Sequence, residues 1–281
     1  MERILFATDL DGTLLNDNGS LAPEFAARLN KLMAEGCLFT IASARAPASA
    51  RPVLDSAGLR LTAPAVCLNG SLLWDMERDL PVHGFSVSPE ITAQVLEAFR
   101  PTDVELKFFG LDMAKGTLTT FYRDDVPVTE HILKFLAYMR RSATARLPLQ
   151  PASAYDGSQV VGFSSYDRRE RLDDLYEKLR VIEGLKTVYY TDNYREGYMF
   201  LECGAEAAGK GAGAKAAQAA VHADRLYVFG DNLNDMDMYR RADRSFAPAN
   251  GEEAMRTIAS EVIPCNNDGG VVTTIEKYFR A

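Results

Sequence analysis

The sequence has few of the residues that build zinc sites and disulfide frameworks. It contains three histidines and four cysteines in 281 residues, and no His stands at ligand spacing from a Cys or from another His. A zinc site is therefore not expected. The cysteines are widely spaced in or beside apolar segments, at Cys37, Cys67, Cys203 and Cys265. This pattern is typical of small core residues in a reducing compartment, and it predicts a cytoplasmic protein.

Excess positive charge and long apolar runs are also lacking. The formal net charge is −8, which argues against nucleic acid or an anionic membrane surface as a partner. No apolar run approaches the roughly 20 residues that a transmembrane helix needs. The N-terminus lacks a basic region followed by an apolar stretch, so a secretory signal is not expected. The 47% apolar and 25% charged residues that are present are ordinary for a globular protein of one large domain or two modest ones.

Both ends of the chain alternate between apolar strands and helices. Each predicted strand is a short apolar run that is closed by polar or turn-forming residues. These strands span residues 4–7, 37–42, 65–68, 198–203 and 226–230. Strands that alternate with helices are typical of a parallel sheet with helical crossovers, so we expect an α/β domain.

The middle of the chain has a different pattern. Between residues 81 and 194, paired alternating strands and separate helices indicate an α+β unit. Because the alternation of strands and helices returns after it, this unit is predicted to be an insertion. We therefore expect a core of residues 1–80 and 195–281 that carries an inserted domain of residues 81–194.

The first predicted strand ends in two acids, Asp9 and Asp11, followed by Gly12 and Thr13. Two carboxylates at the end of a buried strand cost free energy to hold there. A carboxylate such as Asp9 can attack phosphorus and form an aspartyl-phosphate, and Asp11 can protonate the leaving oxygen and later activate water. Gly12 lets the backbone pass close to a ligand, and the hydroxyl of Thr13 can fix the turn. The pattern predicts phosphoryl transfer.

Two further strand ends carry polar residues, Ser43 and Asp231. Since the carboxyl ends of parallel strands meet at one edge of a sheet, these side chains should converge with Asp9. Asp231 is followed by Asn234 and Asp235, which is more than the cap of one helix requires. An oxygen-only set of ligands without histidine suits Mg²⁺, which would also separate the nucleophile from the phosphate.

The excess of carboxylates requires a cation beside the phosphate, and Lys210 at the start of a helix could supply it. The alternative interpretation is that Lys210 is a solvated surface lysine. Ser43 could offer its hydroxyl, and the backbone amides of Ser43 and Ala44 could bind phosphate at the turn. Arg45 is either a solvated residue at a helix start or a substrate contact.

In chain order, these residues resemble the four motifs of the haloacid dehalogenase (HAD) superfamily. The matching residues are Asp9-Leu10-Asp11-Gly12-Thr13, Ser43, Lys210, and Gly230-Asp231 with Asn234-Asp235. The insertion between the second and third motifs resembles that of the Cof-type (class IIB, C2B cap) sugar-phosphatase-like hydrolases. The resemblance implies a Rossmann-like core, a mobile α+β cap and an Mg²⁺-dependent phosphatase that acts on a phosphoric monoester.

The resemblance also implies a role for each motif residue. Asp9 would be nucleophile and metal ligand, Asp11 would be general acid/base and give a second ligand through its main-chain carbonyl, and Asp231 would be the third ligand. Phosphate would be held by Ser43, Lys210 and Asn234, and Asp235 would orient Lys210 or a metal-bound water. The second motif is more often Thr-Gly-Arg than the Ser43-Ala44-Arg45 found here, but serine keeps the hydroxyl.

Other interpretations of the same residues stay open at this point. Gly204-x4-Gly209-Lys210 nearly fits the phosphate loop of a nucleotide-hydrolysing enzyme, but Gly211 replaces the Ser or Thr that holds Mg²⁺. Gly209-x-Gly211-x-x-Ala214 imitates a dinucleotide fingerprint. A phosphotransferase or phosphomutase on the HAD scaffold, or a non-catalytic binding protein, would share the motifs. We expect a monomer or weak homodimer that acts on a small phosphorylated metabolite: a sugar phosphate, a nucleotide or a phosphorylated cofactor.

Overall fold

The computed structural model describes residues 2–127, 130–142, 144–192 and 195–280. Within them the strands are β1 (Ile4–Thr8), β2 (Leu38–Ile41), β3 (Ala65–Cys67), β4 (Leu72–Asp75), β5 (Leu80–Gly84), β6 (Lys107–Asp112), β7 (Thr117–Tyr122), β8 (Leu149–Pro151), β9 (Gln159–Arg168), β10 (Leu185–Thr191), β11 (Tyr198–Ala205), β12 (Arg225–Phe229), β13 (Arg244–Pro248) and β14 (Glu261–Ile263). The helices are α1 (Pro23–Ala34), α2 (Pro47–Ser56), α3 (Pro89–Phe99), α4 (Glu130–Ser142), α5 (Arg169–Leu179), α6 (Lys210–Ala220), α7 (Met236–Arg241), α8 (Glu253–Ile258) and α9 (Gly270–Phe279).

The chain divides into two compact units. The core unit contains residues 2–83 and 209–280, and the inserted unit contains residues 84–208. The first boundary differs from the predicted one by three residues, but the second lies at 209 instead of 195. The reason is that β11 pairs antiparallel with β9 and β10 of the inserted unit. The expectation that strand 198–203 belongs to the core sheet was therefore wrong.

The core unit is built on a five-stranded sheet with the order β14-β13-β12-β1-β2. All of its strand pairs are parallel, and Thr8 of β1 lies opposite both Ile41 of β2 and Phe229 of β12. These three strands therefore end at the same level. From β1, the chain adds β2 on one side and later adds β12, β13 and β14 on the other side. Open α/β sheets bind ligands at such a point, where the strand order reverses.

Burial on both faces explains why the strands of this sheet are continuously apolar. Leu5, Phe6 and Ala7 of β1 are fully buried. Helix α6 packs closely because it is rich in alanine and glycine, and a Cβ atom on Gly213 would lie 2.4 Å from Val66 Cγ1. The predicted α/β fold class with a parallel-sheet core and an inserted α+β unit is confirmed.

The core unit also contains a three-stranded sheet, in which β3, β4 and β5 are neighbours in that order. Residues 65–68 were predicted to form a strand of the parallel sheet. Instead β3 pairs antiparallel with β4 and joins β2 only through an isolated parallel bridge between Ala42 and Val66. The strand ends at Cys67 because Leu68 and Asn69 both have a φ of 51°, which breaks an extended ladder.

The inserted unit has its own sheet and its own apolar core. Its strand order is β10-β11-β9-β6-β7-β8, antiparallel except for the pair of β7 and β8. Helices α3 and α5 bury apolar side chains against one face of the sheet, and the shared core includes Val95, Phe108, Phe163, Leu172 and Leu201. Across the described part of the chain, no helix has the length and apolar character that spanning a bilayer requires.

Candidate active site

Asp9 lies at the carboxyl edge of the core sheet, one residue beyond β1. Its backbone N–H donates to Phe229 O at 3.0 Å, and Ala42 N–H donates to Thr8 O at 2.7 Å. These bonds keep the exits of β2 and β12 on either side of Asp9. The structure thus brings Asp9, Ser43 and Asp231 to one sheet edge, where the sequence predicted that they would converge.

The turn after Asp9 spans Leu10–Leu14 and is closed by Leu15 N–H, which donates to Leu10 O at 2.9 Å, while Asp11 has an extended backbone with a ψ of 121°. Gly12 has a φ of 79°, and a Cβ atom there would lie 2.5 Å from Asp231 Oδ2. The missing side chain therefore makes room for Asp231. Thr13 Oγ1 donates to Asp231 Oδ1 at 2.6 Å, so the hydroxyl joins this turn to the loop after β12.

Lys210 is the buried cation of the site. Its Nζ atom lies 3.0 Å from Asp9 Oδ1 and 2.6 Å from Asp235 Oδ1, and the residue is 2% exposed. Burial alone would lower the pKa of Lys210, but the carboxylates of Asp235 and Asp9 outweigh it and raise the pKa above its ordinary value. Lys210 therefore remains a cation, and it is not the solvated lysine of the alternative interpretation.

Asp235 is fully buried and holds the loop after β12 together. Its Oδ2 atom accepts the backbone N–H groups of Asp231 at 3.0 Å and of Asn232 at 3.2 Å. A Cβ atom on Gly230 would lie 2.5 Å from Asp235 Cβ, so the glycine permits this approach. With Oδ1 on Lys210, both carboxylate oxygens of Asp235 are engaged.

Three carboxylates lie close enough together for a shared metal ion, although Lys210 and two backbone N–H groups already engage the oxygens of Asp235. Asp9, Asp231 and Asp235 each offer an oxygen atom within 4.8 Å of the others. Burial raises the pKa of Asp9 well above its ordinary value, opposed by Lys210 and reinforced by Asp235 and Asp231. Burial, then the charge of Asp235, raises the pKa of Asp231 to about 6. Such close buried acids repel one another, and a divalent cation would relieve that repulsion.

The donor set fits Mg²⁺, because it consists of carboxylate oxygens without nitrogen or sulfur. The predicted ligands were Asp9, Asp11 and Asp231. Within the described residues, the cluster contains Asp235 and not the carboxylate of Asp11. Since Asp11 was expected to bind through its main-chain carbonyl, that role stays a prediction.

Asp11 makes a two-bond ion pair with Arg45. Arg45 Nε lies 2.9 Å from Asp11 Oδ2, and Nη2 lies 2.7 Å from Oδ1. Arg45 was predicted to be either a solvated residue or a substrate contact, and this pairing was not predicted. Nothing in the sequence signals it, because 34 residues separate the two side chains.

The loop after β2 has a defined shape. Ser43 is buried, its Oγ atom accepts Arg45 N–H at 3.3 Å, and Ala44 lies between them. Asn69 N–H donates to Ser43 O at 3.0 Å, and Leu68 N–H donates to Arg45 O at 3.1 Å. The turn after β3 therefore holds in place the Ser43–Ala44 segment, which was predicted to bind phosphate.

Asn234 contributes a buried acceptor. Its Oδ1 atom is buried and has no hydrogen-bond partner among the described residues. Buried polar atoms are nearly always paired, so an orphaned one at this loop is consistent with a ligand or water donor. The predicted role of Asn234 in phosphate binding remains a prediction.

Sequence reasoning missed Asn250, in the loop after β13. Asn250 Nδ2 donates to Gly12 O at 2.8 Å, and Glu252 N–H donates to Asp231 O at 2.8 Å in the same loop. This loop therefore supports both acidic segments. The available signal was its position at the exit of another parallel strand of the core sheet.

The phosphate-loop interpretation of Gly204–Lys210 was wrong. The strand that precedes it, β11, is antiparallel and belongs to the inserted unit. A phosphate loop requires a parallel strand that leads directly into the helix. Moreover, the ammonium group of Lys210 is bound to Asp9 and Asp235.

Known proteins resemble the chain over nearly its whole length. The sequence profile of the haloacid dehalogenase-like hydrolases matches residues 6–275. Pyridoxal phosphate phosphatase YbhA of Escherichia coli K12 is 23% identical over 289 aligned positions, which cover 98% of each protein. A crystal structure from Thermotoga maritima has 24% identity and a TM-score of 0.75, with 99% of this chain and 97% of the other covered.

A HAD subclass IIB sugar phosphatase has the same fold. It covers 98% of both chains at 17% identity, with a TM-score of 0.73. The resemblance stated from the motifs is confirmed, as is the prediction that the protein is an enzyme. With a match that spans residues 6–275, the chain belongs to the haloacid dehalogenase-like hydrolase family.

Proposed function

We propose that the protein is an Mg²⁺-dependent phosphatase that hydrolyses a small phosphorylated metabolite through an aspartyl-phosphate on Asp9. The observation that carries this proposal is the buried contact between Asp9 and Lys210 at the sheet edge, 3.0 Å from Nζ to Oδ1. A buried cation beside a buried carboxylate suits a nucleophile that must approach an anionic phosphate. The membership of the hydrolase family supports the same chemistry.

The reaction would proceed in two displacements at phosphorus. An oxygen of Asp9 forms a bond to phosphorus while the ester P–O bond breaks and Asp11 gives its proton to the leaving oxygen. A water molecule then attacks the phosphorus, Asp11 takes its proton, and the bond between phosphorus and Asp9 breaks. Free phosphate leaves, and both carboxyl groups return to their initial state.

Other residues of the core unit would bind and orient the phosphate. Lys210 and the hydroxyl and amides of the Ser43–Ala44 segment would contact its oxygens. A bound Mg²⁺ would be held by Asp9, Asp231 and the main-chain carbonyl of Asp11 and would offset the charge between nucleophile and phosphate.

The relatives guide the class of substrate. One acts on pyridoxal phosphate and another on sugar phosphates, as their names state. At 23% and 17% identity these substrates do not carry over individually. We infer a small phosphomonoester in the cytoplasm, and we infer that the inserted unit of residues 84–208 serves as the cap that selects it.

Release of inorganic phosphate tests the proposal directly. We expect Mg²⁺-loaded protein to release phosphate from an aryl phosphate and from members of a panel of sugar phosphates, nucleotides and phosphorylated cofactors. Asp9→Asn should abolish release, whereas Asp55→Asn, at an exposed ion pair with Arg60, should not. Rapid acid quenching and peptide mass spectrometry should find a phosphoryl group on Asp9. Phosphate that appears only on an added sugar would contradict hydrolysis.

The metal requirement has its own test. A chelator should abolish phosphate release, and Mg²⁺ should restore it. Ca²⁺ should not, because its looser coordination would misplace the nucleophile. Full activity in the chelator would refute the role of the metal.

A further inference from the structure

The pair of Arg45 and Asp11 has the geometry of an orienting contact. Two parallel N–H groups of the guanidinium meet the two oxygens of one carboxylate, at 2.9 and 2.7 Å. This fork-to-fork arrangement fixes the plane and the rotation of the carboxyl group, which a lysine could not do. The side chains are 29% and 39% exposed, so the pair adds little stability. Its contribution is the position of Asp11.

Arg45 is itself held at both ends. Its Nη1 atom donates to Ser49 O at 3.3 Å, and its backbone N–H donates to Ser43 Oγ at 3.3 Å. Its carbonyl oxygen accepts Leu68 N–H at 3.1 Å. A side chain fixed in this way can impose a position on the group that it contacts, as supporting residues do in preorganised sites.

The backbone that holds Arg45 is strained. Leu68 and Asn69 both have a φ of 51°, a region that leucine rarely adopts. This conformation directs the N–H groups of Leu68 and Asn69 at the carbonyl oxygens of Arg45 and Ser43. Strain of this kind persists where the surrounding structure requires a particular backbone geometry, often at functional sites.

We propose that Arg45 is the positioning residue of Asp11, and that it holds the acid/base carboxyl group where it can reach the leaving oxygen and the attacking water. This inference rests on the proposed phosphatase mechanism. It replaces a role of Arg45 as a phosphate contact, because Nε and Nη2 of the guanidinium are directed at Asp11. Arg45 acts through Asp11 and makes no bond to the reacting atoms.

Two substrates with different leaving groups distinguish this role from its alternatives. An aryl phosphate such as p-nitrophenyl phosphate leaves as a stable phenolate and needs little help from an acid, whereas an alkyl phosphate such as glycerol phosphate needs protonation. In single-turnover measurements, which report the first displacement, we expect Arg45→Ala to slow alcohol release from the alkyl phosphate about 10- to 100-fold, the effect of a misplaced catalytic group. Phenolate release from the aryl phosphate should change less than about 3-fold, and the concentration of either substrate that gives half the maximal rate should stay nearly constant. The later hydrolysis of the aspartyl-phosphate, which uses Asp11 as base, should slow equally for both substrates.

Three further variants complete the test. In the first displacement, Asp11→Asn should show the same selective loss on the alkyl substrate, and the double variant Asp11→Asn with Arg45→Ala should be no slower than Asp11→Asn alone. Arg45→Lys keeps the charge but not the fork, so its single-turnover rate with the alkyl phosphate should also fall. The matched control is Arg28→Ala, since Arg28 makes a similar two-bond pair with Glu276. It should leave both rates unchanged.

Several outcomes would overturn the inference. A rise in KM for both substrates, or additive losses in the double variant, would make Arg45 a substrate contact. Unchanged kinetics in Arg45→Ala would mean that the ion pair of Arg45 and Asp11 has no role in catalysis. If Arg45→Ala fails to fold, Arg45→Lys carries the same comparison. A wild-type protein that hydrolyses neither ester would refute the proposed function, whereas an active wild type whose Arg45→Ala variant loses the same factor on both esters in the first displacement would refute only the role of Arg45.

Discussion

At the scale of single residues, Lys210 is expected to contribute both to stability and to the proposed catalysis. It is the buried cation between Asp9 and Asp235, and removing one partner of a buried pair leaves an uncompensated charge. We expect Lys210→Met, which keeps the volume and removes the charge, to lower the free energy of unfolding by about 3–5 kcal/mol at neutral pH in a chelator. Turnover should fall by about 10²- to 10³-fold, since a preorganised electrostatic contact is lost.

Urea unfolding and phosphate release measure the two effects of Lys210→Met. Lys31→Met is the control, because Lys31 is 71% exposed in its pair with Glu35 and exposed pairs contribute less than about 1 kcal/mol. Equal losses of stability in the two variants would contradict the buried pairing.

Asp231 gives the metal-free protein a pH dependence. Its pKa is raised from 3.8 to about 6, so the folded state keeps a proton that the unfolded state loses. This contribution to stability is present at low pH and is lost as the pH rises through about 6. The raised pKa of Asp9 acts in the same direction. In a chelator, we expect the free energy of unfolding to fall between pH 4 and pH 6.

Mg²⁺ should show the opposite trend, because it competes with the proton for the Asp231 carboxylate. Its affinity should rise with pH up to about 6 and then level off as far as Asp231 determines it. Titration calorimetry at several pH values measures this change, and Asp231→Asn should weaken binding and flatten the profile. A pH-independent affinity in the unchanged protein would contradict the assignment.

At the scale of elements, the sequence predicted where the strands of the core sheet end, but it did not predict which strands pair with each other. The residues 4–7 and 226–230 are locally apolar runs with polar ends, so their strands and their acids followed from pattern alone. Residues 198–203 have the same local pattern, yet they pair with the inserted unit. Strand partners are chosen by tertiary packing, which local periodicity does not record. The contact of Arg45 with Asp11 was hidden for the same reason.

The turn Leu68–Gly70 packs against the start of α6, and Gly70 makes that contact. Its φ is 90°, and a Cβ atom would lie 1.9 Å from Gly209 O and 2.7 Å from Lys210 N. We expect Gly70→Ala to displace the start of α6, to lower the free energy of unfolding by about 3 kcal/mol and to reduce kcat. Urea unfolding and phosphate release measure these losses.

Gly36→Ala is the matched control for Gly70→Ala. Gly36 has a φ of 101°, and nothing lies within 4 Å of its added Cβ. It therefore carries the backbone strain without the clash, which should cost about 1 kcal/mol and leave kcat unchanged. If the two variants lose the same stability, the contact with Gly209 does not constrain the site.

At the scale of the whole molecule, all the acidic and basic residues of the candidate site belong to the core unit. Asp9, Asp11, Arg45, Lys210 and Asp231 lie within residues 2–83 and 209–280. The inserted unit has a separate apolar core built from its own sheet and helices. Two such cores allow local opening of one unit without the other. Metal binding should therefore stabilise the two units unequally.

Hydrogen exchange with and without Mg²⁺ tests this inequality. Saturation at about 100 times Kd stabilises the binding unit by about 2.7 kcal/mol, so the slowest amides of β1 and β12 should exchange roughly 100-fold more slowly. Amides of β6 and β9 should change little, because their core contains none of the ligands. Asp231→Asn should remove the effect in β1 and β12. Equal slowing in both units would mean that they unfold as one body, and slowing that persists in Asp231→Asn would place the metal elsewhere.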